Sequence, residues 1–436
     1  MYDIIYIGGG LNYAGAVVAV KNGKKVALIE KDMSQLGGVC LHKGCIPSKM
    51  FLHYANIVSE SDNPILEGKI SLNMQELVSK KEKLLKNVTQ VIQKQCANVD
   101  LIEADAKLIA PYRVEADGKV LEAKNIIIGT GSSAFIPDGI EYNKKDIITS
   151  DEVLKLQELP KKVAIYGAGA IALEMASFFA SAKVEVTLIY RKEHILTKAH
   201  PLIAQHIQKE LEKLGVSFLL EHSIKSAKDT KKGVHIVFED GKNIYTPMLL
   251  VATGRKANID VIECKDIEVD RSIKTDAFFE TSLKDHYAVG DCNGKLQLAH
   301  AARAEVLNVT QRILGKTPKK LNLNSVVKFI NTLPMSYAYV GEVKSMLKDG
   351  EYKETIVPLS QFTYSAYNRA IDGLVVIYSD KQGFILGGEI LAPNAQELIG
   401  IVAIAVAGEM DAKEAQKAIL AHPTFSEAID RAFYRL

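Results

Sequence analysis

Two stretches of this chain repeat one pattern: an apolar strand, a glycine turn, a small-residue helix and a second apolar strand. The first is "YDIIYIGGGLNYAGAVVAVKNGKKVALIEK" (2–31) and the second is "KKVAIYGAGAIALEMASFFASAKVEVTLIYRK" (161–192). A β-α-β unit places its two strands parallel and its helix across one face of a sheet, so the chain is expected to be an α/β protein. Gly8 and Gly10 match the first two positions of a dinucleotide fingerprint. The first permits the tight turn, and the second lets backbone approach a pyrophosphate at the helix N-terminus. Glu30, at the end of the second strand, stands where a carboxylate would hold a ribose 2′-hydroxyl. Tyr13 occupies the third glycine position, and its bulk is expected to push the helix off the strand and give the loop a variant form. Taken alone, this unit also reads as an ordinary β-α-β turn.

In the second unit Gly167 and Gly169 are in place, and Ala172 fills the third position, which tolerates alanine. Two such units, with Gly167 lying 159 positions after Gly8, imply two bound dinucleotides. The acid position of the second unit is Tyr190, followed by Arg191 and Lys192. Two cations there suit a 2′-phosphate and favour NADP over NAD. The plain alternative is a solvated basic turn.

Three more stretches end a strand in a glycine turn: "NIIIGTGSSA" (125–134), "LLVATGRKAN" (249–258) and "HYAVGDCNGKLQLAHAARAE" (286–305). In the last, Asp291 could bond a cofactor's sugar or polyol chain, or simply cap the helix that follows.

The 436 residues suit two to four domains at roughly 100–200 residues each. A composition 47% apolar and 24% charged is that of a soluble globular protein. A net charge of +2 gives no reason to expect nucleic acid or anionic lipid as a partner. The longest apolar run, "IGIVAIAVAG" (399–408), is about half the ~20 residues a membrane helix needs and is expected to be a buried helix. The opening "MYDIIYIGGG" resembles no secretory leader, so a cytoplasmic location is expected. In that compartment a close cysteine pair points to redox or metal chemistry before a structural disulfide.

That pair is Cys40 and Cys45 in "GGVCLHKGCIPSK" (37–49). Pro47 is expected to start the helix "SKMFLHYANIVSE", leaving both cysteines near a helix N-terminus, where the thiolate is favoured. A metal reading would recruit His42 and His53, but no second cysteine pair at zinc spacing accompanies them, and no metal is expected. Cys96, Cys264 and Cys292 are isolated and read as packed thiols. Thiol chemistry also needs a proton carrier. In "AHPTFSE" (421–427), a turn at Pro423 with a helix beginning near Thr424 would fold Glu427 back onto His422. A carboxylate on one ring nitrogen fixes the tautomer and makes the other nitrogen a base. The same residues also match a capping box, with Thr424 as cap and Glu427 three positions on.

Taken together, "GGVCLHKGCIPSK", "GTGSS", "GAGAIALE", "VGD", "LAHAA", "PNAQELI" and "AHPTFSE" resemble the flavin-dependent pyridine nucleotide–disulfide oxidoreductases along essentially the whole chain, and dihydrolipoamide dehydrogenases most closely. The resemblance implies an α/β architecture of two Rossmann-like domains, for FAD and NAD(P), and a C-terminal α+β dimerisation domain. Its boundaries would be 1–149 for the first part of the FAD domain, 150–258 for the NAD(P) domain, 259–321 for a segment completing the FAD domain, and 322–436 for the interface domain. It implies that Cys45 is the thiol beside the flavin and Cys40 the outer thiol that exchanges with substrate. Lys49 would pair with Glu174 near the flavin ring. His422, oriented by Glu427 and supplied by the other subunit of a homodimer, would be the base. FAD contacts would come from Gly8, Gly10, Glu30, Lys31, Gly38, Lys49, Ala106, Thr130, Gly131, Asp291, Ala299 and His300. Those to NAD(P) would come from Gly167, Gly169, Ala170, Ile171, Arg191, Lys192 and Gly254. The substrate would be a small dithiol or disulfide, or a lipoyl carrier protein.

Three features depart from that pattern: Tyr13, the basic pair at 191–192, and Met335 in "LPMSYAYVG" where glutamate is common. They leave open an NADPH-dependent reductase of another disulfide, like glutathione or mercuric reductases. A flavoprotein kept as a non-catalytic subunit is a further alternative, against which the intact cysteine and His–Glu pairs argue.

Overall fold

Strand β1 (Tyr2–Ile7) is buried on both faces, with Ile4, Ile5 and Tyr6 fully removed from solvent, as a parallel strand covered by layers on either side must be. Strand β2 (Val26–Glu30) runs parallel to it on one side and the strand Lys119–Ile128 on the other, so that Ile4 lies opposite both Val26 and Asn125. The sheet runs in the order Asp100–Glu103, β2, β1, Lys119–Ile128, Arg113–Ala116, Ala106–Ala110, with His286–Ala288 also pairing parallel to Lys119–Ile128. One face packs Ile4, Tyr6, Leu28 and Ile127 against Ala16 and Val306; the other packs Ile5, Ile7, Ala27 and Ile128 against Leu108 and Ile273.

Helix α1 (Asn12–Lys21) connects β1 to β2 and packs against the helix Ala299–Ile313. The close helix–strand approach that the fingerprint assigns to its third glycine is made at Gly15, where a Cβ would stand 3.0 Å from Tyr6 Cε1 of β1, as well as 2.6 Å from Thr310 Oγ1 and 2.8 Å from Val306 Cγ2 of the neighbouring helix. Tyr13 is half-buried and packs against the apolar cluster on this face of the sheet.

The computed structural model describes residues 1–317 and 319–436. It resolves into two units, one of Met1–Ser48, Glu76–Phe135 and Arg255–Leu323, the other of Lys49–Gln75, Ile136–Gly254 and Asn324–Leu436. The first holds the sheet just described. The second holds the other glycine pattern as a five-stranded parallel sheet in the order Val216–Leu219, Glu185–Ile189, Lys162–Tyr166, Leu249–Val251, Ile147–Ile148. It also holds a five-stranded antiparallel sheet in the order Lys328–Ile330, Ser336–Gly341, Ile385–Ala392, Leu374–Asp380, Tyr352–Pro358. The helix Ala395–Ala407 packs on the latter sheet, burying Ile399, Val402 and Ala405. The run at 399–408 is therefore not wholly buried: Ile404 is 70% exposed. No described helix is long and apolar enough to cross a membrane.

Candidate active site

At the first glycine turn, Gly8 takes a left-handed φ of +95° and lies so close to Gly129 that a Cβ would stand 2.5 Å from the Gly129 carbonyl oxygen. Helix α1 begins at Asn12, which leaves the first backbone N–H groups of the helix directed at the turn, an arrangement suited to a pyrophosphate. Glu30 Oε2 accepts the Gly9 N–H at 2.6 Å, so this carboxylate holds the turn as well as ending β2. Lys31 is exposed beside it. Ala106 begins its strand two residues after Ala104, whose N–H donates to the Glu30 carbonyl at 3.1 Å. Thr130 and Asn258 are tied reciprocally: Thr130 Oγ1 donates to the Asn258 carbonyl at 2.6 Å, and Asn258 Nδ2 to the Thr130 carbonyl at 3.0 Å. Gly131, between these partners and Ser132, adopts φ +68°.

Asp291 lies in a short 3₁₀ turn, Gly290–Asn293. It does not cap the helix Ala299–Ile313, whose cap position is Leu298, with Ala299 half-buried and His300 exposed in the first turn. Asp291 Oδ2 accepts a hydrogen bond from Ser132 Oγ at 2.5 Å, and Ser132 Oγ in turn accepts from Arg255 Nε at 2.7 Å. Ser132 and Arg255 were not among the expected contacts; the serine in "GTGSS" and the arginine in "ATGRKAN" were the available signal. Behind the turn, the fully buried Glu305 accepts from Gly290 N–H at 2.7 Å and Asn293 Nδ2 at 2.8 Å, and burial pushes its carboxyl above the usual carboxylate range.

The cysteine segment leaves directly from this turn. Gly37 N–H donates to the Gly9 carbonyl at 3.0 Å, and a Cβ on Gly38 would stand 2.7 Å from Gly10 Cα. Cys40 lies in the short helix α2 (Gly38–His42), and Cys45 is the first residue of α3 (Cys45–Glu60). The helix thus starts ahead of Pro47 and not after it: a proline in the first turn forfeits only an N–H that has no intrahelical acceptor. The long helix therefore places Cys45 alone at its N-terminus, where the dipole favours thiolate, while Cys40 belongs to a separate turn. Cys40 is half-buried and Cys45 exposed, whereas Cys96, Cys264 and Cys292 are buried. Burial pushes the Cys96 and Cys292 thiols up to about 11. His42 Nε2–H donates to the Leu36 carbonyl at 3.0 Å, and the His53 ring lies edge-on to Tyr54. Among the described residues no cluster of three or more His, Cys, Asp or Glu is arranged to hold a metal ion.

In the second unit, Gly167 takes φ +128° over the Ala252 carbonyl, and Gly169 precedes the helix Ala170–Ser181. Gly169 and Ala170 are exposed and Ile171 half-exposed, while the helix from Ala172 onward is buried, so its open N-terminus can receive a phosphate. Gly254 follows the strand Leu249–Val251 with φ +128°. Arg191 and Lys192 are exposed just past the strand Glu185–Ile189, and Lys192 Nζ donates to Thr197 Oγ1 at 3.4 Å.

Lys49 and Glu174 meet at 2.5 Å. Glu174 is buried and its Oε1 also accepts the Asn331 N–H at 2.9 Å, while the Lys49 ammonium lies 5.3 Å from the centre of the Phe329 ring. Asn331 and Phe329 could not be foreseen, because they are remote in sequence. His422 Nδ1 donates to Glu427 Oε2 at 2.9 Å, and Glu427 Oε1 accepts the Thr424 N–H at 2.9 Å. Half of the capping box is present: the Thr424 N–H is held by Glu427, while Thr424 Oγ1 donates to the Ala421 carbonyl at 2.7 Å and shares a 2.6 Å hydrogen bond with Ser426 Oγ at the start of the helix, in place of accepting a helix N–H. The bond to His422, more than that to Thr424, holds the Glu427 carboxyl below the usual carboxylate range. The imidazole is 79% exposed, leaving Nε2 open to solvent.

The sequence profile of the pyridine nucleotide-disulphide oxidoreductases matches residues 2–305, and that of their dimerisation domain residues 330–433. A dihydrolipoyl dehydrogenase of Chlorobaculum tepidum is 31% identical over 99% of this chain and 96% of its own length. A mercuric reductase of Lysinibacillus sphaericus is 29% identical over 99% of this chain and 82% of its own length. The crystal structure of LpdA from Mycobacterium tuberculosis superposes with a TM-score of 0.91 over 99% of both chains at 24% identity, a likeness of fold. Two glycine turns at open helix N-termini, with a cysteine pair leading off the first, are what two dinucleotides and a dithiol require. The chain belongs to the pyridine nucleotide–disulphide oxidoreductases, enzymes that work with FAD and NAD(P)H, and it carries their dimerisation domain.

Proposed function

We propose that this enzyme oxidises a dithiol of the dihydrolipoamide type, with Cys40 and Cys45 as its redox pair and His422 as its base. The observation that carries the reading is the His422–Glu427 hydrogen bond at 2.9 Å on an exposed imidazole. The carboxylate keeps the proton on Nδ1 and leaves Nε2 as the acceptor for a substrate thiol proton.

In the proposed cycle His422 Nε2 takes the proton of one substrate thiol. The resulting thiolate attacks Cys40 Sγ of the oxidised pair; the Cys40–Cys45 bond breaks, and Cys45 Sγ leaves as thiolate, the form its helix N-terminus stabilises. The second substrate thiol then gives its proton to solvent and its sulfur attacks the first, closing the substrate disulfide, while Cys40 Sγ leaves and takes up the proton held on His422 Nε2. Two electrons now rest on the cysteine pair. FAD held at the first glycine turn would supply the redox chemistry that links this dithiol to a nicotinamide. Gly8, Gly10 and the start of α1 would receive the FAD pyrophosphate, Glu30 the ribose, and Asp291, gripped by Ser132, the polyol chain. Gly38, Ala106, Thr130 and Gly131 would line that site, with Lys31, Ala299 and His300 at its margin. Lys49, fixed by Glu174, would hold a positive charge at the flavin ring. Gly167, Gly169, Ala170, Ile171 and Gly254 would shape the nicotinamide dinucleotide site. We assign the FAD domain to 1–149 and 259–321, the NAD(P) domain to 150–258 and the interface domain to 322–436.

On the dimerisation domain, Ile404 and Ile419 expose most of their apolar surface, as does Tyr434 just beyond it, which supports a homodimer in which His422 serves the partner's cysteines. The exposed Arg191 and Lys192 favour NADP and support a second reading, an NADPH-driven reductase of another disulfide. The test is steady-state oxidation of dihydrolipoamide by the FAD-loaded protein, with NAD and NADP side by side. Turnover with either establishes the lipoamide chemistry and names the nicotinamide. Negligible turnover with both, alongside NADPH-driven reduction of glutathione disulfide or mercuric ion, selects the second reading.

A further inference from the structure

The first glycine turn lacks its third glycine, yet its peptide planes are held from both sides. Asn12 is 2% exposed, and its side-chain Nδ2 donates to the Ile7 carbonyl at 3.1 Å and to the Gly8 carbonyl at 3.0 Å. The Gly8 carbonyl and the Gly9 N–H belong to one planar peptide unit. Since Gly9 N–H donates to Glu30, that unit is clamped at its oxygen by Asn12 and at its nitrogen by Glu30. The clamped peptide leads directly into Gly10, where the fingerprint lets backbone approach a pyrophosphate.

The clamp has a steric counterpart. A Cβ on Gly129 would stand 2.5 Å from Asn12 Nδ2, 2.7 Å from Oδ1 and 2.8 Å from Cγ. All three atoms belong to one short side chain walled in by the Ile7 and Gly8 carbonyls, so it has no room to yield. Gly129 N–H also donates to the Ile7 carbonyl at 2.8 Å, which brings Gly129 and Asn12 onto the same acceptor. Asn12 Oδ1 is buried without a hydrogen-bond partner among the described residues. An amide that leaves its acceptor unmatched is a poor choice for packing alone; its donor is what the site uses.

We propose that Asn12 and Gly129 form one coupled lock that shapes the first dinucleotide turn and thereby sets the affinity for FAD. It rests on the assignment of this turn to FAD. Asn12 acts through the Gly8–Gly9 peptide and is a positioning residue.

The experiment is FAD titration of the flavin-stripped protein, read by quenching of flavin fluorescence, for the wild type, N12G, N12D, G129A and the double variant N12G/G129A. N12D keeps the size of the side chain and removes its donor. N12G and N12D are each expected to weaken FAD by tenfold or more. Alanine at 129 is expected to cost tenfold or more beside Asn12 and less than threefold in the N12G background, because the clash partner is gone. Phosphorus NMR of the bound pyrophosphate should shift in N12D, which a loss of global stability alone would not produce. If G129A does not fold, N12D and the double variant carry the test. Wild-type affinity in both N12G and N12D, or an equal cost of alanine at 129 in both backgrounds, overturns the lock. A wild-type protein that binds no FAD overturns the lock and the assignment of the turn together.

Discussion

Lys49 and Glu174 show what a single side chain contributes here. Glu174 is buried with Lys49 and the Asn331 N–H as its partners, so Lys49→Met leaves a buried carboxylate one donor short. Loss of a charged hydrogen bond of this kind is expected to cost about 1.5–3 kcal/mol, measured by urea unfolding of the holoenzyme. Glu427 is the second case. Its carboxyl sits below the ordinary glutamate range because of His422. A depressed folded-state value means that its contribution to stability is present above the unfolded pKa and is lost as pH falls through the folded one. His422→Gln should therefore raise the Glu427 pKa toward 4.5, seen by NMR titration, and should stop dithiol oxidation. An unmoved Glu427 would remove the basis for assigning the base. The pairing of 422 with 427 was legible from spacing, as was that of 49 with 174 from resemblance. Asn12, Ser132 and Glu305 were not, because a polar residue in a glycine-rich turn or on a helix gives no sign of which distant backbone groups it will meet.

At the scale of the element, helix α3 is expected to favour the thiolate of Cys45. Its first residue is Cys45, and the orphan N–H groups there favour thiolate by about 0.3–1 kcal/mol. In the reduced protein at pH 8, limited iodoacetamide should label Cys45 and Cys40. Cys96 and Cys292, buried and pushed up to about 11, should stay unlabelled until the protein unfolds. Peptide mapping reads this directly. Labelling of Cys292 ahead of Cys45 would contradict it. Cys40→Ser should leave FAD reducible by NAD(P)H while dithiol turnover disappears. The helix start was misplaced by two residues from sequence because Pro47 was read as the first helical residue, while the first turn also accepts it later. The helix Ala395–Ala407 was misjudged for a different reason: its face carrying Ile404 is apolar yet lies on the surface of this chain.

For the whole molecule, the exposed apolar side chains of the dimerisation domain set the expectation. Light scattering should give twice the mass of one chain. Ile404→Lys, which places a charge where a large apolar side chain is 70% exposed, should shift the protein toward monomer and lower turnover in proportion. Full activity in a stable monomer would show that His422 serves its own chain. Arg191→Gln with Lys192→Gln should weaken NADPH by about tenfold or more and NADH far less, since only the former carries the 2′-phosphate those cations would pair. Equal losses would return the pair to a solvated turn.

Local signals alone determined much of this protein. The alternation of apolar runs with glycine turns specified two β-α-β units, because a positive-φ turn and a parallel crossover are demanded by residues adjacent in sequence. The same holds for the cysteine pair and for His422 with Glu427. Only the tertiary structure decided how those pieces are held: Gly15 in place of residue 13, Glu30 on the Gly9 N–H, Ser132 and Arg255 behind Asp291, and Asn12 against Gly129. Each of these depends on two segments meeting at hydrogen-bond or van der Waals distance, and spacing along a chain does not encode which surfaces will be pressed together once the sheet and its covering helices have closed.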